Sequence, residues 1–78
     1  MNPGLPRVTA QQVIRVLEKL GFTLARQSGS HKIYKNEEGK RVTVPYHGHK
    51  TLHPKVLQSI LNDAGLTRDE FEQLLKGK

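Results

Sequence analysis

The chain has 78 residues, of which 35% are hydrophobic, and it contains no cysteine. This length holds one small domain with a single core, and the missing cysteines exclude a disulfide scaffold and a thiolate zinc site. The formal charge of +6 favours a polyanion or an acidic protein as partner.

Residues 1–8 carry little pattern and are predicted to be a flexible tail, followed by one domain over residues 9–78. Thr9 and Gln12 have the spacing of a capping box, in which each side chain satisfies the other residue's backbone N–H. The apolar residues that follow recur at helical spacing, and Gly21 is a typical helix stop. The sequence therefore predicts a first helix that begins after Thr9 and ends before Gly21.

Three short strands are predicted over residues 22–27, 31–36 and 41–45, joined by a turn at 28–30 and a hairpin connection at 37–40. We expect Phe22 and Leu24 to share one face of the first strand. Val42 and Val44 are expected to point inward from the third strand. Such short connections favour a three-stranded antiparallel meander.

Two more helices are predicted after a loop over residues 46–52. His53 and Pro54 are typical of a helix entry, and Gly65 ends that helix. Thr67 and Glu70 form a second capping box, which opens a short last helix. The predicted fold is α+β, in the order α-β-β-β-α with a short C-terminal helix, and the helices pack on one face of the sheet.

Positive charge is concentrated in the middle of the chain. Between residues 26 and 55, seven basic residues face two acidic ones, so this segment carries +5 of the total charge. All four histidines also lie there, at positions 31, 47, 49 and 53. Charge alone does not choose between RNA, DNA, an acidic partner and an ordinary solvated surface.

The turn Gly29-Ser30-His31 is the first candidate site. Histidine titrates near neutral pH and can both accept and donate a proton, and Arg26, Lys32 and Lys35 lie close to it in sequence. The alternative is a solvated surface histidine. Ser30 is not expected to act as a nucleophile with His31, because adjacent strand residues point to opposite faces and no carboxylate is evident to orient the imidazole.

The other candidates carry weaker signals. His47, His49 and His53 have no interleaved carboxylate or thiolate and lie beside lysines, so we predict no metal site and no cofactor. Tyr34 and Tyr46 either stack on bases or are partly buried in the sheet. No apolar run reaches the roughly 20 residues of a membrane helix, and the first residues lack a signal-peptide pattern, so a cytoplasmic protein is expected.

Four motifs follow one another along the chain: Leu20-Gly21-Phe22, Gly29-Ser30-His31-x-x-Tyr34, Val44-Pro45-x-His47 and Ile60-Leu61-x-x-Ala64-Gly65-Leu66-Thr67. In this order and spacing they resemble the HicA toxin (YcfA-like) family. The resemblance covers nearly all of the chain beyond the tail. It implies a fold like that of a double-stranded-RNA-binding domain and an mRNA interferase of a bacterial or phage toxin–antitoxin module. Lys55-Val56, where the family pattern would more often have Gly-Thr, and the extra His49 depart from that pattern.

The resemblance implies that His31 is the catalytic residue of a metal-independent endoribonuclease that a HicB-like antitoxin inhibits. We hypothesise that His31 is the general base on a ribose 2′-OH, that Lys32, Arg26 or Lys50 stabilises the phosphorane, and that water, His47 or Tyr34 protonates the leaving group. The predicted RNA-binding residues are Arg26, Ser30, Lys32, Tyr34, His47 and Lys50. Two other functions remain open: a non-catalytic RNA-binding module, and an interaction protein whose basic face docks an acidic partner.

Overall fold

A computed structural model describes residues 6–77. The elements follow one another as α1 (Ala10–Lys19), β1 (Thr23–Ser28), β2 (His31–Lys35), β3 (Arg41–Pro45), α2 (Pro54–Ala64) and α3 (Arg68–Lys76). The predicted α+β order is confirmed, with three antiparallel strands in the order β1-β2-β3. No helix among residues 6–77 has the length and hydrophobicity needed to cross a membrane.

Helix α1 begins where the sequence predicts. The Gln12 N–H donates to Thr9 Oγ1 at 3.3 Å, and the Thr9 N–H donates to Gln12 Oε1 at 2.9 Å, so the capping box is complete. Gly21 has a φ of +93°, which glycine adopts without steric cost and which ends the helix. Local sequence chemistry thus fixes both ends of this helix.

The N-terminal boundary differs from the prediction. Val8, placed in the tail by its sequence context, is buried in the core. Its carbonyl accepts a hydrogen bond from the Leu52 N–H at 2.8 Å, and Thr9 forms a β-bridge with Thr51. The folded domain therefore includes Val8, whereas residues 1–5 of the predicted tail lie outside the described residues.

The register of the sheet defines its two faces. Residues directly opposite each other in an antiparallel pair share a face, and neighbours along a strand alternate between faces. Tyr34 pairs with Val42, and both are buried, as is Val44 two residues further along β3. The inward orientation predicted for Val42 and Val44 is confirmed. Helices α1 and α2 cover this side of the sheet by packing on β3.

Strand β1 departs from the prediction. It begins at Thr23, and Phe22 belongs to the preceding junction, where its N–H donates to the Leu17 carbonyl at 3.0 Å. Phe22 is buried, whereas Leu24, which pairs with the buried Tyr34 on the core side of the sheet, is 48% exposed, so the two residues differ in burial. The physical reason is position: the helices pack mainly on β3, and β1 lies at the far edge of the sheet.

Helix α2 begins at a histidine cap. His53 Nδ1 accepts a hydrogen bond from the Lys55 N–H at 3.0 Å, and Pro54 follows at the first helical position. The helix ends at Gly65, which has a φ of +78°. The predicted entry and stop are both confirmed.

Helix α3 packs against α1 and adds Phe71 to the core. Its capping box is complete between Thr67 and Glu70, and Phe71 is fully buried. The helix packs on α1, where Lys19 Nζ donates to the carbonyls of Leu74 at 2.7 Å and Gly77 at 2.9 Å. A cation at the carboxyl end of a helix is stabilising, so Lys19 fastens the end of α3 to α1.

Candidate functional site

His31 is the first residue of β2, and its side chain is exposed. It lies opposite Ser28 on one side and Pro45 on the other, at one end of the sheet. The turn before it depends on Gly29, which has a φ of +58°. The structure therefore has an accessible imidazole at the beginning of a strand, as the sequence predicts.

In the described part of the chain, no acidic or hydroxyl side chain orients this imidazole. Among residues 6–77, His31 takes part in no salt bridge and in no side-chain hydrogen bond. Ser30 enters the local structure through its backbone instead, since its carbonyl accepts a hydrogen bond from the Tyr46 N–H at 2.6 Å. This arrangement suits proton transfer by a lone histidine and does not supply a serine–histidine–acid triad.

The side of the sheet away from the helices, which we call the open face, carries the His31 side chain. Pairing and alternation assign nine residues to it. They are Thr23, Arg26, Ser28, His31, Ile33, Lys35, Arg41, Thr43 and Pro45. Three of the nine are basic and none is acidic.

Arg26 reaches the open face through an irregularity in β1. Leu24 pairs with Tyr34, but Arg26 pairs with Ile33, so Ala25 is an extra residue in the strand. Simple alternation would place Leu24 and Arg26 on the same face, and this bulge reverses the alternation. Arg26 therefore shares a face with His31, as the predicted RNA contact requires.

Lys32 lies on the other face. It pairs with the buried Val44, and its Nζ lies 4.2 Å from the centre of the Tyr46 ring, a cation–π contact. The prediction grouped Lys32 with His31 as an RNA contact because the two are adjacent in sequence. The strand alternation separates them, so the ammonium group of Lys32 is directed to Tyr46.

Tyr34 is part of the core. It is only 4% exposed, and burial raises the pKa of its phenol, with smaller contributions from the charges of Glu18 and Tyr46. Its predicted roles as a stacking platform and as a proton donor to RNA both need an exposed side chain. Burial on the helix-covered face leaves it in neither role.

His47 and Lys50 lie together in the loop that follows β3. The Lys50 N–H donates to the His47 carbonyl at 3.3 Å, and Gly48 between them has a φ of +65°. Both side chains are exposed. Because this loop begins next to Pro45, the cross-strand neighbour of His31, both predicted contacts lie at the same end of the sheet as His31.

The histidines do not form a metal cluster in the described part of the chain. Among residues 6–77, no group of three or more histidine, cysteine, aspartate or glutamate side chains is arranged to hold a metal ion. His53 is already engaged as the cap of α2 through Nδ1.

Lys35 and Arg41 were not among the predicted RNA-binding residues, although the sequence places Lys35 close to His31. They pair directly across β2 and β3 on the open face, and both are exposed. The alternation of His31, Ile33 and Lys35 was a usable signal for the first residue. For Arg41, the signal was the hairpin, which brings the start of β3 against the end of β2.

The fold and this site define a class of protein, a small and basic α+β domain. Helices cover one face of its sheet, and the open face carries an exposed histidine and no acidic residue. A family model described as the HicA toxin of bacterial toxin–antitoxin systems matches residues 10–66, which is well over half of the chain. The chain therefore belongs to the HicA toxin family. Membership gives it the role of a toxin and implies a cognate antitoxin as its partner. A search of curated proteins finds no match.

Proposed function

We propose that this toxin is a metal-independent endoribonuclease that cleaves mRNA and uses His31 as its general base. The observation that carries the proposal is the position of His31: an exposed imidazole at the end of β2, on an acid-free cationic face, in a member of the HicA toxin family. RNA is a polyanion, and the ribose next to each phosphodiester already carries a nucleophile, the 2′-OH. Such a substrate needs only a base, an acid and positive charge from the protein.

In the proposed reaction, His31 takes the proton of a ribose 2′-OH. The 2′ oxygen forms a bond to the adjacent phosphorus, and the bond from phosphorus to the 5′ oxygen of the next nucleotide breaks. A proton delivered to that 5′ oxygen completes the step. The products are a 2′,3′-cyclic phosphate and a free 5′-OH.

Arg26 and Lys50 are the proposed cations for the phosphorane, because Arg26 shares the open face with His31 and Lys50 lies in the loop at the same end of the sheet. Lys32 is not included in the proposal, because its ammonium group lies 4.2 Å from the centre of the Tyr46 ring, on the other face. Positively charged side chains held next to the negative charge that develops in the transition state contribute much of the rate enhancement in catalysis of this kind.

The proposed proton donor to the leaving group is His47 or a water molecule. One imidazole cannot accept and donate a proton in the same step, so a second group is needed. His47 is exposed in the loop beside Pro45, the residue opposite His31. Tyr34, the other predicted donor, is buried on the opposite face.

We further propose that a HicB-like antitoxin inhibits the toxin by covering the open face and placing acidic groups near His31. The support is the charge of that face, on which no carboxylate would repel such groups. Complementary charge across an interface favours fast and specific association.

The test compares wild-type protein with His31→Ala on a defined mRNA in buffer containing EDTA. A general acid–base residue contributes about a hundredfold or more, so the variant should cleave at least that much more slowly. His49→Ala is the matched control, because it removes another exposed histidine of the chain, in the loop after β3. Equal cleavage by wild type and His31→Ala would refute the assignment, and binding without cleavage by both would favour the RNA-binding module.

A further inference from the structure

The basic residues of the open face are arranged along β2, starting from His31. Arg26 is opposite Ile33, two residues from His31, or about 7 Å at the usual rise of a strand. Lys35 is four residues from His31, or about 13 Å, and Arg41 lies directly opposite it. The three cations therefore continue in one direction from the imidazole across the face.

The acidic residues lie outside the nine residues of the open face, although Glu37 and Glu38 are in the connection that joins Lys35 to Arg41. The seven aspartates and glutamates of the chain lie on the helices or in the connection between β2 and β3: Glu18, Glu37, Glu38, Asp63, Asp69, Glu70 and Glu72. A polyanion on the open face thus meets three cations and no carboxylate on that face. On α3, by contrast, three acidic side chains lie between Arg68 and Lys76.

We propose that the RNA substrate lies as a single strand across the open face along β2, with Arg26 at the phosphate of the cleaved bond and Lys35 and Arg41 binding backbone phosphates on one side of it. This inference rests on the proposed function and extends it from one residue to a binding track. The track lies on the sheet, on the side opposite the helices.

The chemistry of the face also sets the kind of binding. Ile33 and Pro45 are half-buried and offer small apolar patches among the cations. The open face has no aromatic side chain, so the stacking that gives other single-strand binders their platforms is absent there. Binding is therefore dominated by phosphate contacts, strongly dependent on salt and tolerant of sequence. A single strand is favoured over a duplex because in-line attack by the 2′-OH needs a backbone that can rotate.

The test uses the full-length His31→Ala protein, which leaves the RNA intact, and a short fluorescent single-stranded RNA without self-complementarity. The variant R26Q/K35Q/R41Q removes the three cations of the track. The control R7Q/R15Q/K76Q removes the same charge from three exposed residues outside the open face. Fluorescence anisotropy across a series of KCl concentrations gives Kd and its dependence on salt.

Each lost phosphate contact lowers the slope of log Kd against log salt by about 0.7 for single strands, so the track variant should lose about 2 in slope and the control much less. The charge-retaining variant R26K/K35R/R41K should recover most of the slope, and thermal melting establishes that all variants are folded. The same RNA as a duplex should bind more weakly than the single strand.

Equal Kd and slope for the track variant and the control would overturn the proposal, as would failure of the His31→Ala protein to bind RNA at low salt. Loss of antitoxin binding by the track variant with unchanged RNA binding would also overturn it and assign the face to the antitoxin. A different result would show that the proposed function is wrong while the binding track is right: wild-type protein would bind RNA through the track but leave the RNA uncut.

Discussion

Phe71 tests whether α3, which lies beyond the residues that match the HicA family, belongs to the folding unit. The phenyl ring is 0% exposed and is the largest fully buried side chain in the described part of the chain. Phe71→Ala removes this ring and leaves a cavity, at a cost of about 3–5 kcal/mol. A domain of 78 residues has a total stability of about 4–12 kcal/mol, so this substitution removes a large part of it.

The loss translates into a melting temperature. Unfolding entropy of about 2.1 cal/mol/K per residue gives about 0.16 kcal/mol/K for 78 residues, so Tm should fall by about 18–30 °C. Far-UV circular dichroism during heating measures the change. Gln73→Ala is the control, because its exposed side chain is on the same helix and its removal should cost no more than about 0.5 kcal/mol. A decrease in Tm of less than about 5 °C for Phe71→Ala would show that α3 is not part of the cooperative core.

Three other predictions concern stability. Above about pH 10, the free energy of unfolding should fall more for wild type than for Tyr34→Phe. The reason is that the raised pKa of Tyr34 lets the folded state keep a proton that the unfolded state releases. Urea unfolding at a series of pH values measures this, and an identical pH dependence of the two proteins would contradict it. His53→Ala should cost about 1 kcal/mol by removing the helix cap, and His53→Asn should restore most of it, whereas equal losses in urea unfolding would count against a capping role. Lys19→Met should lower the free energy of unfolding by about 0.3–1 kcal/mol and speed amide hydrogen exchange at the end of α3. Unchanged exchange would argue against a stabilising role for the hydrogen bonds of Lys19 to α3.

The helices were predictable because their signals are local. The capping boxes at Thr9 and Thr67 and the stop at Gly65 each act within a few residues, and all three occur in the structure. Strand β1 was less predictable because its burial depends on which strand the helices cover. Leu24 is an apolar residue at a strand position, yet it lies at an uncovered edge.

The exposed position of His31 at the start of a strand was predictable from the sequence, and the arrangement of the side chains around it was less so. Sequence adjacency grouped Lys32 and Tyr34 with His31, although strand alternation sends both to the helix-covered face. Arg26 shares the open face only because Ala25 is an extra residue in β1, and nothing in the local sequence marks that bulge. Arg41 lies on the open face because it pairs with Lys35 across the hairpin. This position follows from the register of the two strands and cannot be read from the composition.

The central claim is that His31 promotes attack by the ribose 2′-OH, and the chemical nature of the cleaved ends tests it most directly. A single-site RNA is cleaved by wild-type protein in EDTA, and the ends of both fragments are identified by mass spectrometry. The account predicts a 2′,3′-cyclic phosphate on one fragment, a 5′-OH on the other, and no cleavage when the ribose at that site is 2′-deoxy. A 3′-OH and a 5′-phosphate, or cleavage of the 2′-deoxy substrate, would contradict it.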